Sequence, residues 1–233
     1  MKVSKVILSG RTLLKDNTWQ TLTLPFSLSA EELAASPLAG CELKELDLEG
    51  WYQPNALASA HQTGYDLPAD TLYLFFKDTT AIEAGKPYVI RWDDGDNIVD
   101  PVFENVTITN QTASVPAPYF SFVSLYSPKT YAEERTDVVY LGANSAFLQP
   151  DGLNPVTIGS FRAYVKLSKF YVMEAAATQL TIITNLEGAV IPTGVENSQK
   201  SKRDRACRKL LIDGLLFINK DGKIYNAQGE VVK

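Results

Sequence analysis

An acidic loop is the group of residues whose types and spacing best fit a chemical task. Asp93, Asp94, Asp96 and Asn97 follow one another closely, and their side chains carry the hard oxygen atoms that Ca²⁺ prefers as ligands. The loop is not an EF-hand, because its glycine comes too early and no glutamate closes a twelve-residue loop. A solvated turn between two strands explains the same residues, so calcium binding by this loop stays a hypothesis.

A second candidate site is the long loop over residues 50–70. Trp51 and Tyr52 stand near its start, and His61 and Tyr65 follow. Aromatic rings on loops are typical of faces that bind glycans or proteins. The same rings could instead close one end of the fold as core residues. Ligand binding through these four residues is therefore an extension of the main functional hypothesis below.

Sets of catalytic residues find little support in the sequence. General-base chemistry most often uses histidine, and the only histidine, His61, lies in a loop of a chain without a G-x-S-x-G motif. Cys41 and Cys207 have neither metal-ligand spacing nor a histidine nearby, and the linker position of Cys207 argues against a disulfide between them. A glycosidase-like carboxylate pair would be a spatial feature that sequence cannot locate. The prediction is that the chain is not an enzyme.

Length, composition and charge narrow the class of protein. The 233 residues are 45% hydrophobic, as expected of a globular protein with its own core. The net charge of −5 argues against nucleic acid as a partner. No apolar run approaches the ~18 residues of a membrane-spanning helix, and the apolar stretch at residues 6–8 is too short for a signal peptide. We expect either a cytoplasmic protein or the mature part, or a fragment, of a longer exported one.

Charge also divides the chain into regions. Residues 1–195 hold 13 Lys and Arg against 22 Asp and Glu, whereas residues 196–233 hold 9 against 5. We predict a body over residues 1–195, a basic linker over 196–209 and a C-terminal β-meander over 210–233. The pair Asp221-Gly222 between apolar runs predicts a hairpin turn within the meander, because glycine accepts a positive φ at low cost.

Short strands separated by Gly, Pro, Asn and Asp dominate the body. The cleanest alternation runs from Phe161 to Leu167, and it predicts Arg162, Tyr164 and Lys166 on the outward face. Thr71–Phe76 is apolar on both faces, which indicates a central strand. The fold class predicted is all-β, with an antiparallel β-sandwich or jelly-roll-like body, one short helix and the C-terminal meander. The body could also be two β subunits that meet near residues 113–118.

The one predicted helix covers Ala30–Ala35. Ser29 precedes it and Glu32 follows three residues later, which is the spacing of a capping box. Pro37 prevents its continuation because proline clashes with the preceding turn.

Several segments, in order along the chain, resemble parts of large surface proteins of Bacteroidales bacteria. The segments are TWQTLTLPFSL, DTLYLFFKDTTAIEAGKPYVIRW, DPVFENVTI, VVYLGANSAFLQP and GSFRAYVKL. In those proteins a β-rich C-terminal module often follows leucine-rich or other repeats. The ending GLLFINKDGKIYNAQGEVVK resembles their sorting-signal-like C-terminal segments, although Glu230 stands where an arginine is expected. The resemblance implies an extracellular or outer-surface location and no known catalysis.

The main hypothesis is a non-catalytic cell-surface or secreted module for adhesion, presentation or ligand binding. A protein or a glycan at the cell surface would be its partner, and Ca²⁺ is the one cofactor that the residues suggest. A carbohydrate-active enzyme or its accessory domain is one alternative. A purely structural spacer is another.

Overall fold

A computed structural model describes residues 1–48, 71–117, 120–168 and 181–187, and the backbone of three further strands within residues 208–225. The chain forms two compact units, Met1–Thr193 and Gly194–Lys233. The division lies two residues before the boundary that the charge pattern predicts. The described residues include no helix long and apolar enough to cross a membrane.

The described part of the first unit is built from short strands and one α-helix, α1 (Ala30–Ala34). The strands are β1 (Lys5–Ile7), β2 (Thr12–Leu13), β3 (Gln20–Thr23), β4 (Glu42–Leu46), β5 (Thr71–Leu74), β6 (Phe76–Asp78), β7 (Pro87–Arg91), β8 (Ile98–Val99), β9 (Val102–Glu104), β10 (Ser114–Pro116), β11 (Phe120–Leu125), β12 (Lys129–Tyr131), β13 (Val138–Leu141), β14 (Phe147–Leu148), β15 (Val156–Ile158), β16 (Arg162–Leu167) and β17 (Thr181–Thr184). The all-β class is therefore confirmed.

A four-stranded antiparallel sheet with the order β3-β7-β4-β6 lies between two apolar clusters. Every residue of β3 and of β7 is buried, because one face of the sheet packs against each cluster. The outer cluster covers one face with residues from the N-terminal segment, from β9 and from the segment after α1; its members include Leu8, Leu13, Leu22, Leu38, Leu43, Ile90 and Phe103.

A five-stranded antiparallel sheet with the order β10-β11-β16-β13-β14 contributes to the cluster on the other face. Side chains of both sheets and of β5 and β17 meet in this inner cluster, which includes Trp19, Leu46, Leu72, Val89, Phe122, Val139, Val165 and Ile182. The two halves of the predicted body thus both contribute to the inner cluster. A β-sandwich or jelly roll in the strict sense stays a prediction.

Two strand positions differ from the sequence prediction. Thr71–Phe76 divides at Phe75: β5 pairs with β17 in parallel, whereas β6 forms an edge of the four-stranded sheet. Tyr164, predicted to face outward, is buried because the ribbon β12-β15 places Tyr131 and Ile158 against it. Both differences come from which strands become neighbours, and alternation along one strand does not contain that information.

The helix begins as predicted. The Ser29 hydroxyl accepts a hydrogen bond from the backbone N–H of Glu32, and the Glu32 carboxylate accepts one from the backbone N–H of Ser29. This reciprocal pair satisfies N–H groups that an unbonded first turn would leave without partners.

The described strands of the second unit form an antiparallel meander. They are β18 (Arg208–Ile212), β19 (Leu215–Lys220) and β20 (Lys223–Tyr225), in that order. Lys220 pairs with Lys223, so two residues join the strands where Asp221-Gly222 predicts a hairpin. The first strand includes Arg208 and Lys209, which the sequence places in the linker; the correction follows from their pairing with Asn219 and Ile218.

Candidate functional site

The predicted aromatic site falls outside the described part of the chain. Trp51, Tyr52, His61 and Tyr65 all belong to residues 49–70, which the structure does not describe. Ligand binding by these residues stays a prediction.

The acidic loop is described and exposed. Asp93, Asp94, Asp96 and Asn97 all face solvent, and the Asn97 side-chain oxygen accepts a hydrogen bond from the backbone N–H of Lys15 at 2.8 Å. Among the described residues, no three His, Cys, Asp or Glu side chains come together as a metal site. Calcium binding also stays a prediction.

Cys41, the one cysteine in the described part of the chain, is not poised as a nucleophile. Cys41 is a free thiol, and burial raises its pKa to about 11. A raised pKa leaves little of the nucleophilic thiolate at neutral pH. Cys207 lies outside the described residues.

A cavity of about 530 Å³ opens where the start of β3 meets three turns. One turn precedes β2, one follows β13 and one connects β15 to β16. Arg11 and Arg162 both line this cavity. Neither belongs to a site predicted from sequence, and the charge of each lies near that of the other.

A tight turn positions Arg11. The backbone N–H of Arg11 donates to the Leu8 carbonyl at 3.1 Å, which closes a β-turn over residues 8–11. Gly10, the third residue of this β-turn, takes a positive φ of +76°, a conformation that glycine adopts readily. Asp100 holds the turn from the other side: its carboxylate accepts from the Gly10 N–H at 2.6 Å, and its own N–H donates to the Arg11 carbonyl at 2.9 Å. The Arg11 side chain is thereby directed inward.

The Arg11 guanidinium is almost completely buried and largely unpaired. The residue is 2% exposed, and its only hydrogen bond runs from Nη2 to the Thr21 carbonyl at 2.9 Å. Nε and Nη1 have no partner, and no other described residue has buried side-chain polar atoms in that condition. Burial, together with the nearby charge of Arg162, lowers the pKa of Arg11 to about 9. The group still carries its charge at neutral pH.

A strained turn positions Arg162. Phe161 takes φ 56°, a left-handed conformation that is a genuine outlier for a bulky residue and that costs of order 1–3 kcal/mol. The Phe161 carbonyl accepts from the N–H of Thr23 at 3.0 Å, and the N–H of Ala163 donates to the Thr21 hydroxyl at 3.0 Å. The buried threonines of β3 therefore anchor the backbone on both sides of Arg162.

The side chain of Arg162 forms no ion pair with any described residue. Burial lowers the pKa of Arg162, as it does that of Arg11. Both shifts have the sign expected when a cation leaves water without an opposite charge nearby. The described cavity lining contains no Asp, Glu, His or Cys.

Arg11 and Arg162 are thus two desolvated cations without a compensating anion among the described residues. Burial of a charge without a partner costs several kcal/mol, and proteins normally pair such groups. A carboxylate, sulfate or phosphate group in the cavity would place a negative charge near both guanidinium groups and offset their positive charge. The geometry therefore fits capture of an anion.

Sequence reasoning missed this site for a definable reason. Arg11 follows Ser9-Gly10 and Arg162 follows Gly159-Ser160-Phe161, so both stand next to turn residues, which is common for exposed arginines. Their burial and lack of partners exist only once the two sheets are packed. The one available signal is the pair Thr21 and Thr23, which alternates with the apolar Leu22 and Leu24.

Comparisons of this chain with protein-family models, with curated proteins and with solved structures found no match.

Proposed function

We propose that this chain is a non-catalytic cell-surface or secreted module that binds an anionic ligand in the cavity between Arg11 and Arg162. The observation that carries the proposal is the guanidinium of Arg11, which is buried, charged and without an ion pair to any described residue, and which shares the cavity lining with Arg162. A binding site accepts such a cost in the free protein because the ligand removes it.

Binding fits the cavity better than catalysis does. Glycoside hydrolysis requires two carboxyl groups on either side of the scissile bond, and no acidic residue stands among the described cavity-lining residues. Nucleophilic catalysis requires a base next to the nucleophile, and the same lining offers no histidine. The carbohydrate-active alternative therefore has no support at this site.

The cellular location is supported only by the resemblance to Bacteroidales surface proteins. A module exported to a cell surface would meet soluble anions, glycans and other surface proteins. The structural-spacer alternative needs no cavity and no buried charge, so Arg11 also separates a ligand-binding module from a spacer.

Anion titration of the intact chain tests the proposal. Sodium acetate, sulfate and phosphate would be titrated at constant ionic strength, with binding measured by calorimetry. We expect saturable binding of at least one of them. Arg11→Met and Arg162→Met should each weaken it by about tenfold or more, since a hydrogen bond to a charged group contributes ~1.5–3 kcal/mol.

Arg135→Met is the matched control. Arg135 carries the same charge, but its side chain is 40% exposed and pairs with Asp137, away from the described cavity lining. Binding of that variant should equal wild type. Either an absence of saturable anion binding, or equal losses in Arg11→Met and Arg135→Met, would overturn the proposal.

A further inference from the structure

We propose that the ligand is an acidic saccharide residue, whose anionic group lies between Arg11 and Arg162 while its hydroxylated ring fills the rest of the cavity. This ligand class rests on the proposed function and adds to it the part of the ligand that carries no charge.

Size favours a ligand larger than a simple oxyanion. The cavity measures about 530 Å³, which lies within the ~300–1,000 Å³ typical of sites for small organic molecules. A lone acetate or sulfate group would satisfy the arginines but leave most of this volume unoccupied. A ligand of sugar size with one anionic group would use both the charge and the space.

Hydroxyl groups of the protein line the remaining space. Thr12 and Ser160, which carry aliphatic hydroxyls, and Tyr140, which carries a phenol, are among the lining residues, whereas the Thr157 hydroxyl is hydrogen-bonded to that of Thr130 at 2.8 Å. Such groups both donate and accept hydrogen bonds, so they suit a ligand whose own hydroxyls do the same. An acyl chain would bury them without partners, which costs about 1–3 kcal/mol for each group left unsatisfied.

One wall of the cavity includes an aromatic side chain. Tyr140 is partly exposed at the cavity, and a Cβ on the adjacent Gly142 would stand 3.4 Å from the Tyr140 ring and 2.9 Å from Leu148 Cδ1. The backbone at Gly142 thus packs closely beside the ring. An aromatic plane next to hydroxyls suits a pyranose ring, which has apolar C–H faces and polar edges.

The Gln20 side chain is not available to a ligand. Its amide donates to the Leu14 carbonyl at 2.6 Å and accepts from the Leu14 N–H at 3.0 Å. It forms a fixed part of the wall and links β3 to the segment that carries Arg11. Recognition of the sugar is therefore assigned to the hydroxyl groups and to Tyr140.

Calorimetry with matched ligands tests the inference. Glucuronate and galacturonate would be compared with glucose 6-sulfate and glucose 6-phosphate, which share the ring but differ in the anion. Neutral glucose, acetate and inorganic sulfate provide the two halves separately. We expect at least one acidic sugar to bind about tenfold or more tightly than glucose and than the matching simple anion.

Side-chain variants separate the two parts of the site. Arg11→Met should remove binding of acidic sugars and simple anions alike. Ser160→Ala and Tyr140→Leu should reduce the preference for the acidic sugar over the simple anion by about threefold to tenfold, with little change for the simple anion. Ser127→Ala, at an exposed position outside the described cavity lining, is the control. Circular dichroism confirms that each variant folds.

The possible failures are distinguishable. If acidic sugars bind no more tightly than acetate or sulfate, or if glucose binds equally well, the saccharide inference is wrong while anion capture stands. If no anion binds at all, the proposed function and the inference both fail. If Ser160→Ala and Tyr140→Leu leave the preference unchanged, the hydroxylated and aromatic walls do not recognise the ring.

Discussion

Two buried arginines of the first unit solve the problem of a buried cation in opposite ways. Arg91 at the end of β7 is 8% exposed and Arg11 is 2% exposed. Arg91 donates from Nε to the Glu42 carboxylate at 3.0 Å and from Nη1 to the Glu187 carbonyl at 3.2 Å. Its guanidinium also stacks on Trp19, with 4.8 Å from Cζ to the ring centroid. The protein itself thus supplies the opposite charge, the hydrogen-bond acceptors and the aromatic contact of the Arg91 guanidinium.

Arg11 has a single hydrogen bond and no carboxylate. Trp19 contacts Arg91 and also lines the cavity that Arg11 lines. The protein therefore supplies an ion pair and hydrogen bonds to the guanidinium of Arg91, but only one hydrogen bond to that of Arg11. Arg91 behaves as part of the framework, whereas Arg11 is arranged to receive a charge from outside the chain.

The largest expected effect is the loss of stability on substitution of Arg91, the arginine that is paired within the protein. Arg91→Met removes the ion pair with Glu42, the bond to the Glu187 carbonyl and the stacking on Trp19. We expect the free energy of unfolding to fall by about 3 kcal/mol, measured by urea denaturation. Arg135→Met, which removes an exposed pair, should cost less than about 1 kcal/mol. If Arg91→Met leaves the free energy of unfolding unchanged, the two arginines do not differ in role.

The matching change at the cavity should have the opposite sign. Arg11→Met replaces a buried unpaired cation by an apolar chain of similar length, at the loss of one hydrogen bond to Thr21. We expect the ligand-free protein to gain about 2 kcal/mol and to lose anion binding. If Arg11→Met is destabilised as Arg91→Met is, then Arg11 belongs to the framework and the comparison fails.

Local rules were enough to predict the features that depend on nearby residues. Ser29 and Glu32 form their capping box because the required groups are three residues apart. Lys220 of β19 pairs with Lys223 of β20 on either side of Asp221-Gly222, the two residues that predict a hairpin. The all-β class follows from short alternating segments separated by turn residues. None of these depends on which strand packs against which.

The candidate site could not be predicted because it depends on packing. Arg11 and Arg162 are far apart in the sequence and reach one cavity only because β3 holds both, through the Thr21 carbonyl and the Thr21 and Thr23 hydroxyl and amide groups. The strained φ of Phe161 has no sequence signature either. What identifies the site is a missing partner, and a sequence shows only which residues are present.

The pH dependence of stability provides a smaller and more specific test. The pKa of Arg11 is about 9 in the folded protein and higher when the chain unfolds. Below pH 9 the group is therefore charged in both states, and its burial lowers the free energy of unfolding by the full amount. Above pH 9 the folded protein loses the proton first, and the cost declines. The stability advantage of Arg11→Met over wild type should shrink from about 2 kcal/mol toward zero.

Parallel urea denaturation of wild type and Arg11→Met between pH 7 and pH 11 measures this difference, and other groups that titrate in both proteins cancel. Anion affinity of wild type should weaken over the same range. An advantage that stays constant up to pH 11 would show that the charge of Arg11 is not its cause.

The smallest expected effect concerns the turn that directs Arg11 into the cavity. Asp100→Ala removes the acceptor of the Gly10 N–H and places alanine at φ 49°. We expect a loss of about 1 kcal/mol in stability. The anion affinity should fall only about threefold, because the turn that orients Arg11 is loosened while Arg162 keeps its position. Asp100→Asn keeps an acceptor oxygen and tolerates the left-handed conformation, so its anion affinity should stay near that of wild type. The two variants share the loss of the Asp100 charge, and only the turn geometry separates them. Equal affinities in both would mean that the pocket is organised by β3 alone, and that Arg11 is aligned by Thr21 without help from the turn.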